Sequence, residues 1–279
     1  MQIGISTWVW TSPATTDVLT WLIPHVARLG FDVVELPVEQ PGQFDAGRAR
    51  ALAETHGLGV SVCAVIGAGR DLLRPEEREA GVAYLRTCID IAEQVGSPTV
   101  AGPFYSAVGR CWRQTPAERE RDLDGLAATL RPLGDEAGAR GISLGIEPLN
   151  RFETSFLNTT AQALDLVRRI DHPAVGLALD LFHLGIEEKR PGDAIRAAGA
   201  HLKHVQVAEN DRGTPGTGHL PWSDVAAALR EVGYDGRVVI ETFSDRVEAI
   251  ARAAAIWRPL APDADTLARE GLRFLRALL

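Results

Sequence analysis

Four short apolar runs in the second half of the chain carry a group that can bind a cation or move a proton. Ile142 to Ile146 leads into Glu147, Val175 to Leu179 into Asp180, and Val238 to Ile240 into Glu241, while His204-Val205-Gln206-Val207 carries Gln206. One acid at the end of a strand needs no function, since it can simply mark the solvent boundary. The repeat is more telling, because successive members lie about one strand-plus-helix unit apart. Three carboxylates gathered in a low-dielectric mouth repel one another unless they are protonated or share a cation. With an amide oxygen they form a hard, all-oxygen donor set, suited to Mn²⁺ or Mg²⁺, with Co²⁺ a further option.

The elements that would position these groups follow from the hydrophobic pattern. β-prone runs occur at Gln2–Ser6, Val33–Pro37, Gly59–Val65, Thr99–Phe104, Ile142–Glu147, Val175–Asp180, Leu202–Val207 and Arg237–Glu241. Helical spacing fills the intervals at Thr16–Leu29, Arg48–His56, Glu76–Val95, Pro116–Gly138, Thr160–Ile170, Asp193–Ala198, Ser223–Val232 and Asp245–Ile256, and Asp263–Leu279 closes the chain. Pro24 should kink its helix. Ser223 reads as an N-cap, and Gly30, Gly57, Gly96, Gly138 and Gly233 as helix ends. Eight strand-helix units in one chain of this length predict an α/β fold, a single (β/α)8 TIM barrel spanning residues 1–279 as one domain. In such a barrel, strand ends converge on one mouth. An open doubly wound sheet would carry a glycine fingerprint after the first strand, but Thr7-Trp8-Val9-Trp10 stands there. Gly67-Ala68-Gly69 reads as an ordinary loop. The stretches 106–116 and 209–220 read as long loops, the second bordering the site.

Bulk properties narrow the function. The 279 residues are 46% hydrophobic and 24% charged, with a formal net charge of −8. That balance argues against a nucleic-acid partner. Three scattered cysteines, Cys63, Cys88 and Cys111, suit a reducing cytoplasm. The first residues lack the pattern of a secretion signal, and no apolar run is long enough to span a membrane.

The phrases Ile146-Glu147-Pro148-Leu149-Asn150-Arg151-Phe152-Glu153-Thr154, Leu179-Asp180-Leu181-Phe182-His183 and Ile240-Glu241-Thr242-Phe243 carry a family resemblance. The chain resembles the xylose isomerase-like sugar isomerases and epimerases, and within them the D-tagatose 3-epimerase-like group of ketose 3-epimerases. The resemblance implies a metal held by Glu147, Asp180, Gln206 and Glu241. It implies that Glu147 and Glu241 are also the catalytic acid/base pair, and that Glu153, His183 and Arg212 bind substrate. Where those epimerases usually carry histidine, this chain has Gln206. The phrase His204-Val205-Gln206-Val207-Ala208 is similar instead to the hydroxypyruvate isomerase branch, in which glutamine is the ligand. His204 lies on the same strand face and is the alternative, but Gln206 keeps the alignment through Pro221-Trp222 without a gap.

The expected chemistry is removal of a proton beside a ketose carbonyl to give an enediolate, on an unphosphorylated sugar because no phosphate-binding signature occurs. Aldose–ketose isomerisation, inosose dehydration and keto-glycoside lysis reuse the same constellation. An apurinic endonuclease would need more histidines and a basic face, and a non-catalytic sugar-binding barrel would need no acid/base pair. A homodimer and a homotetramer are both open. His25, His56 and His172 read as surface groups, His201 as lying at the wrong end of the barrel, and His219 as a loop residue. One or two of Trp8, Trp10, Phe104 and Trp112 should wall the pocket. Glu35 should either face the pocket or form a salt bridge.

Overall fold

A computed structural model describes residues 1–243 and 245–279. The first half runs β1 (Gln2–Ser6), α1 (Thr16–Leu29), β2 (Val33–Val38), α2 (Ala46–Thr55), β3 (Gly59–Ala64), α3 (Arg78–Val95), β4 (Thr99–Gly102) and α4 (Pro116–Gly138). The second half runs β5 (Ser143–Ile146), α5 (Thr160–Ile170), β6 (Val175–Asp180), α6 (Leu181–Glu187), α7 (Pro191–Ala198), β7 (Leu202–Val207), α8 (Trp222–Glu231), β8 (Arg237–Ile240), α9 (Glu248–Ala253) and α10 (Ala264–Leu278). All eight strands are parallel, in sequence order, and β8 closes on β1 with Gln2 opposite Arg237 and Ile5 opposite Ile240.

The barrel follows from the residue types. Every residue of β2 and β6 is buried, as expected of parallel strands with helices outside and a packed interior within. Each helix offers one apolar stripe; α10 presents Leu267, Ala268, Gly271, Leu272 and Leu275. Close strand contact has a local requirement at Gly102, whose φ is +135° and where a Cβ would sit 2.3 Å from the Ala64 carbonyl oxygen.

The predicted elements are present, with informative differences. β5 and β8 stop one residue short, so Glu147 and Glu241 stand just past their strands. α6 was not anticipated; it is only seven residues long, and Asp180 caps it by accepting from Phe182 N at 3.0 Å. α8 begins at Trp222, so Ser223 lies inside the helix and no side chain caps it. α1 runs through Pro24 without a break in its assigned span. Gly138 ends α4 in helical territory, and the left-handed turn falls on Gly141 (φ +71°). No described helix is long and apolar enough to cross a membrane.

Candidate active site

The C-terminal ends of the strands enclose a cavity of about 230 Å³, lined by Glu147, Glu153, His183, Arg212 and Glu241 on its polar side. Trp8, Val65, Ile66, Pro103, Leu149 and Phe243 supply the apolar side. Asp180 and Gln206 are fully buried and do not line the open space; they contact the residues that do. Of the aromatics expected at the wall, Trp8 is there. Phe104 belongs to the core, Trp112 is exposed, and the Trp10 indole N–H donates to Asp265.

Arg212 ties the candidate residues together. Its Nη1 donates to Asp180 Oδ2 at 2.5 Å and to Glu241 Oε2 at 3.1 Å, bridging β6 and β8. Its guanidinium carbon lies 4.1 Å from the Phe182 ring centroid and 5.0 Å from that of Phe243. The backbone that presents it is itself unusual, with φ +65° in the left-handed region that a non-glycine residue seldom adopts. Two partners hold it there. Thr242 Oγ1 donates to the Arg212 carbonyl, and Glu209 accepts from Gly216 N, Leu220 N and Trp222 Nε1, which fixes the β7–α8 loop.

His183, in the first turn of α6, approaches Glu147 Oε1 at 3.5 Å and Asp180 Oδ2 at 3.6 Å through Nε2. Its Nδ1 faces the Asn150 backbone N–H at 3.0 Å. Burial, and then the Arg212 charge, hold its pKa well below the ordinary value, so the ring is neutral. Arg212 Nη2, which can only donate, lies 3.1 Å from Nε2, so both ring nitrogens face a donor and these contacts select neither tautomer. The Asn150 side-chain nitrogen also donates to Glu153 Oε1 at 2.7 Å, linking two expected substrate contacts. Asn150, Thr242 and Glu209 join the candidate site without a signal of their own in the sequence. Asn150 and Thr242 sit inside the quoted motifs and Glu209 beside one, but their partners are distant in the chain.

The buried carboxylates are poorly compensated. Glu147 is pushed well above the usual carboxylate range by burial and then by the charges of Glu241 and Asp180. Glu241 is pushed up to about 8, by burial against the opposing pull of Arg212. Burial also raises Glu153. A pocket this rich in buried carboxyl groups suits a cation, whose charge would favour their ionised form, and the donors present support that fit. Oxygens of Glu147 and Asp180 and a ring nitrogen of His183 lie within 4.8 Å of one another. Gln206 Nε2 donates to Glu241 Oε1 at 2.6 Å, which leaves Gln206 Oε1 buried with no donor. A buried amide oxygen with no donor is free to serve as a hard-cation ligand. Gln206, rather than His204, reaches Glu241. His204 lies against Glu35, Nε2 to Oε2 at 2.7 Å. Glu35 thus sits inside the barrel, among His204, Gln206 and Cys63, rather than on the cavity wall.

The remaining histidines divide. His219 is exposed. His25 and His172, expected at the surface, are half-buried and meet Asp265 and Asp135 at 2.8 and 3.1 Å. Of the cysteines, Cys63 and Cys88 are buried and Cys111 is exposed; all three are free.

A closed parallel (β/α)8 barrel with a carboxylate-rich pocket at its C-terminal rim defines a class of barrel proteins built for chemistry at that end. Within that class, the chain belongs to the xylose isomerase-like TIM barrel family, whose model matches residues 23–278. It is 33% identical over 267 residues to D-psicose 3-epimerase from Agrobacterium fabrum, covering 92% of each chain. It is 31% identical over 280 residues to ketose 3-epimerase from Arthrobacter globiformis, covering 99% of this chain and 96% of the other. Among solved structures, D-allulose 3-epimerase from Methylomonas sp. in complex with D-allulose superimposes with a TM-score of 0.92 at 28% identity, over 100% of this chain and 97% of that one.

Proposed function

We propose that this chain is a divalent-metal-dependent ketose 3-epimerase acting on an unphosphorylated ketose. The observation that carries the reading is the pair Glu147 and Glu241, buried, raised in proton affinity, and set at the ends of β5 and β8 beside one cavity. The full-length likeness to ketose 3-epimerases supports it. Glu147, Asp180, Gln206 and Glu241 would hold Mn²⁺ or Mg²⁺, with Co²⁺ an alternative. Bound there, the ion would polarise the ketose carbonyl and offset the charge that develops when the neighbouring proton leaves.

The protein's own groups do the proton work. One glutamate takes the proton from C3 and the other returns one to the opposite face, which inverts that carbon. Raised proton affinity suits both roles, since each group must hold a proton in turn near neutral pH. The neutral His183, Arg212 and Glu153 hold the substrate's oxygens. The apolar wall excludes water from the carbanion-like centre. A cytoplasmic location is consistent with three unpaired cysteines.

Gln206 favours a second reading, aldose–ketose isomerisation of the hydroxypyruvate isomerase kind. Incubation with ketohexoses, ketopentoses and hydroxypyruvate in deuterated water with Mn²⁺, followed by NMR, separates the two. Deuterium at C3 with a 3-epimer product is the expected result. Interconversion of aldose and ketose would shift the assignment to isomerase, and loss of water or an aglycone would move it to a lyase.

A further inference from the structure

Gln206 poses a problem that the three carboxylates do not. A carboxylate offers oxygen whichever way it turns. An amide has an oxygen at one end and, at the other, an NH2 that donates hydrogen bonds and is no cation ligand. Half a turn about its last side-chain bond exchanges them, so something must choose. In the structure Nε2 donates to Glu35 Oε1 at 2.9 Å and to Glu241 Oε1 at 2.6 Å, and Oε1 has no donor. The reverse orientation would set Oε1 against two carboxylate oxygens, breaking both hydrogen bonds and opposing lone pairs inside a buried site. Glu241 is a member of the candidate centre and also answers to Arg212. Glu35 is not. It comes from β2, a strand that supplies none of the candidate ligands, and reaches Gln206 from 171 residues away in the chain.

We propose that Glu35 is a positioning residue: it holds the Gln206 amide nitrogen so that Oε1 is the free end available to the cation. The inference rests on the metal-dependent reading above.

The test measures Mn²⁺ affinity without substrate, from the electron paramagnetic resonance signal of free Mn²⁺, in a double-mutant cycle. Gln206→Ala and Glu35→Ala should each weaken binding about 10- to 100-fold. In a Gln206→Glu background, removing Glu35 should leave affinity unchanged or improve it, because a carboxylate has no wrong end and loses a like-charged neighbour. Equal weakening in both backgrounds would show that Glu35 is merely structural and overturn the proposal. If Gln206→Ala weakens binding while Glu35→Ala binds like the parent, the positioning role fails and the ligand assignment stands. If Gln206→Ala itself binds like the parent, the ligand assignment on β7 fails and the positioning role fails with it. Should a thermal melt show Glu35→Ala unfolded, Glu35→Gln replaces it. That side chain can donate as well as accept, so it loosens the choice, and several-fold weakening confined to the Gln206 background is expected.

Discussion

Glu147 and Glu241 differ from ordinary strand-end acids in what burial does to them. If they exchange the C3 proton, replacing either by Gln should lower kcat about 10²- to 10⁴-fold while the thermal midpoint holds or rises. Deuterium uptake at C3, read by NMR, would separate the two groups, and near-parent turnover in both variants would sink the assignment. The raised Glu241 also has a stability consequence in metal-free protein. Between the ordinary value of 4.5 and about 8, the folded state keeps a proton that the unfolded chain has released. The folded state therefore binds more protons in that window, and stability must fall as pH rises through it. Chelated protein should melt at a lower temperature at about pH 8.5 than at about pH 5.5, with a shallower decline in Glu241→Gln. A flat profile would contradict the burial argument. At this scale the sequence showed which acids end strands, because an apolar run that stops at a charge is a local signal. It could not show that Asn150 meets His183 or that Glu35 meets Gln206, because those pairs form only when the barrel closes.

Among the elements, the β7–α8 loop and the β3–β4 contact bear most directly on the site. Glu209 collects backbone donors from the loop and the Trp222 indole, and these hold its carboxylate below the usual range even though burial works the other way. Glu209→Ala should cost about 2–3 kcal/mol of stability and lower activity further than the stability loss explains, because Arg212 rides on that loop. Urea titration against steady-state kinetics would check this, and a stable variant with parent activity would refute it. Gly102→Ala should destabilise by about 2 kcal/mol or more, since the added carbon strikes the Ala64 carbonyl at an unfavourable φ. Element periods were legible almost throughout, since apolar spacing sets them. α6 escaped because seven residues with an internal glycine give too little periodicity, and Ser223 misled because the capping position went to Pro221 instead.

For the whole molecule, closure of β8 on β1 is what turns four separated strand ends into one pocket, and the count of strand-helix units already implied it. If the carboxyl-rich mouth is a metal centre, ion binding must stabilise the entire fold. Saturation at 100 times Kd contributes about 2.7 kcal/mol, so Mn²⁺ or Mg²⁺ should raise the thermal midpoint of chelated protein by several degrees. No shift with either ion, with Gln206→Ala as the comparison, would count against the metal.

The cysteines make the barrel convenient to label. Cys111 is exposed, and its Sγ meets the Phe152 carbonyl at 3.4 Å, one residue from the cavity-lining Glu153. Cys63 and Cys88 are buried and held as thiols, Cys88 with a pKa pushed up to about 12. A maleimide dye should therefore attach once to the native protein and three times after denaturation. The native chain thus carries its own single labelling handle, beside the residue that precedes Glu153, without any engineered cysteine.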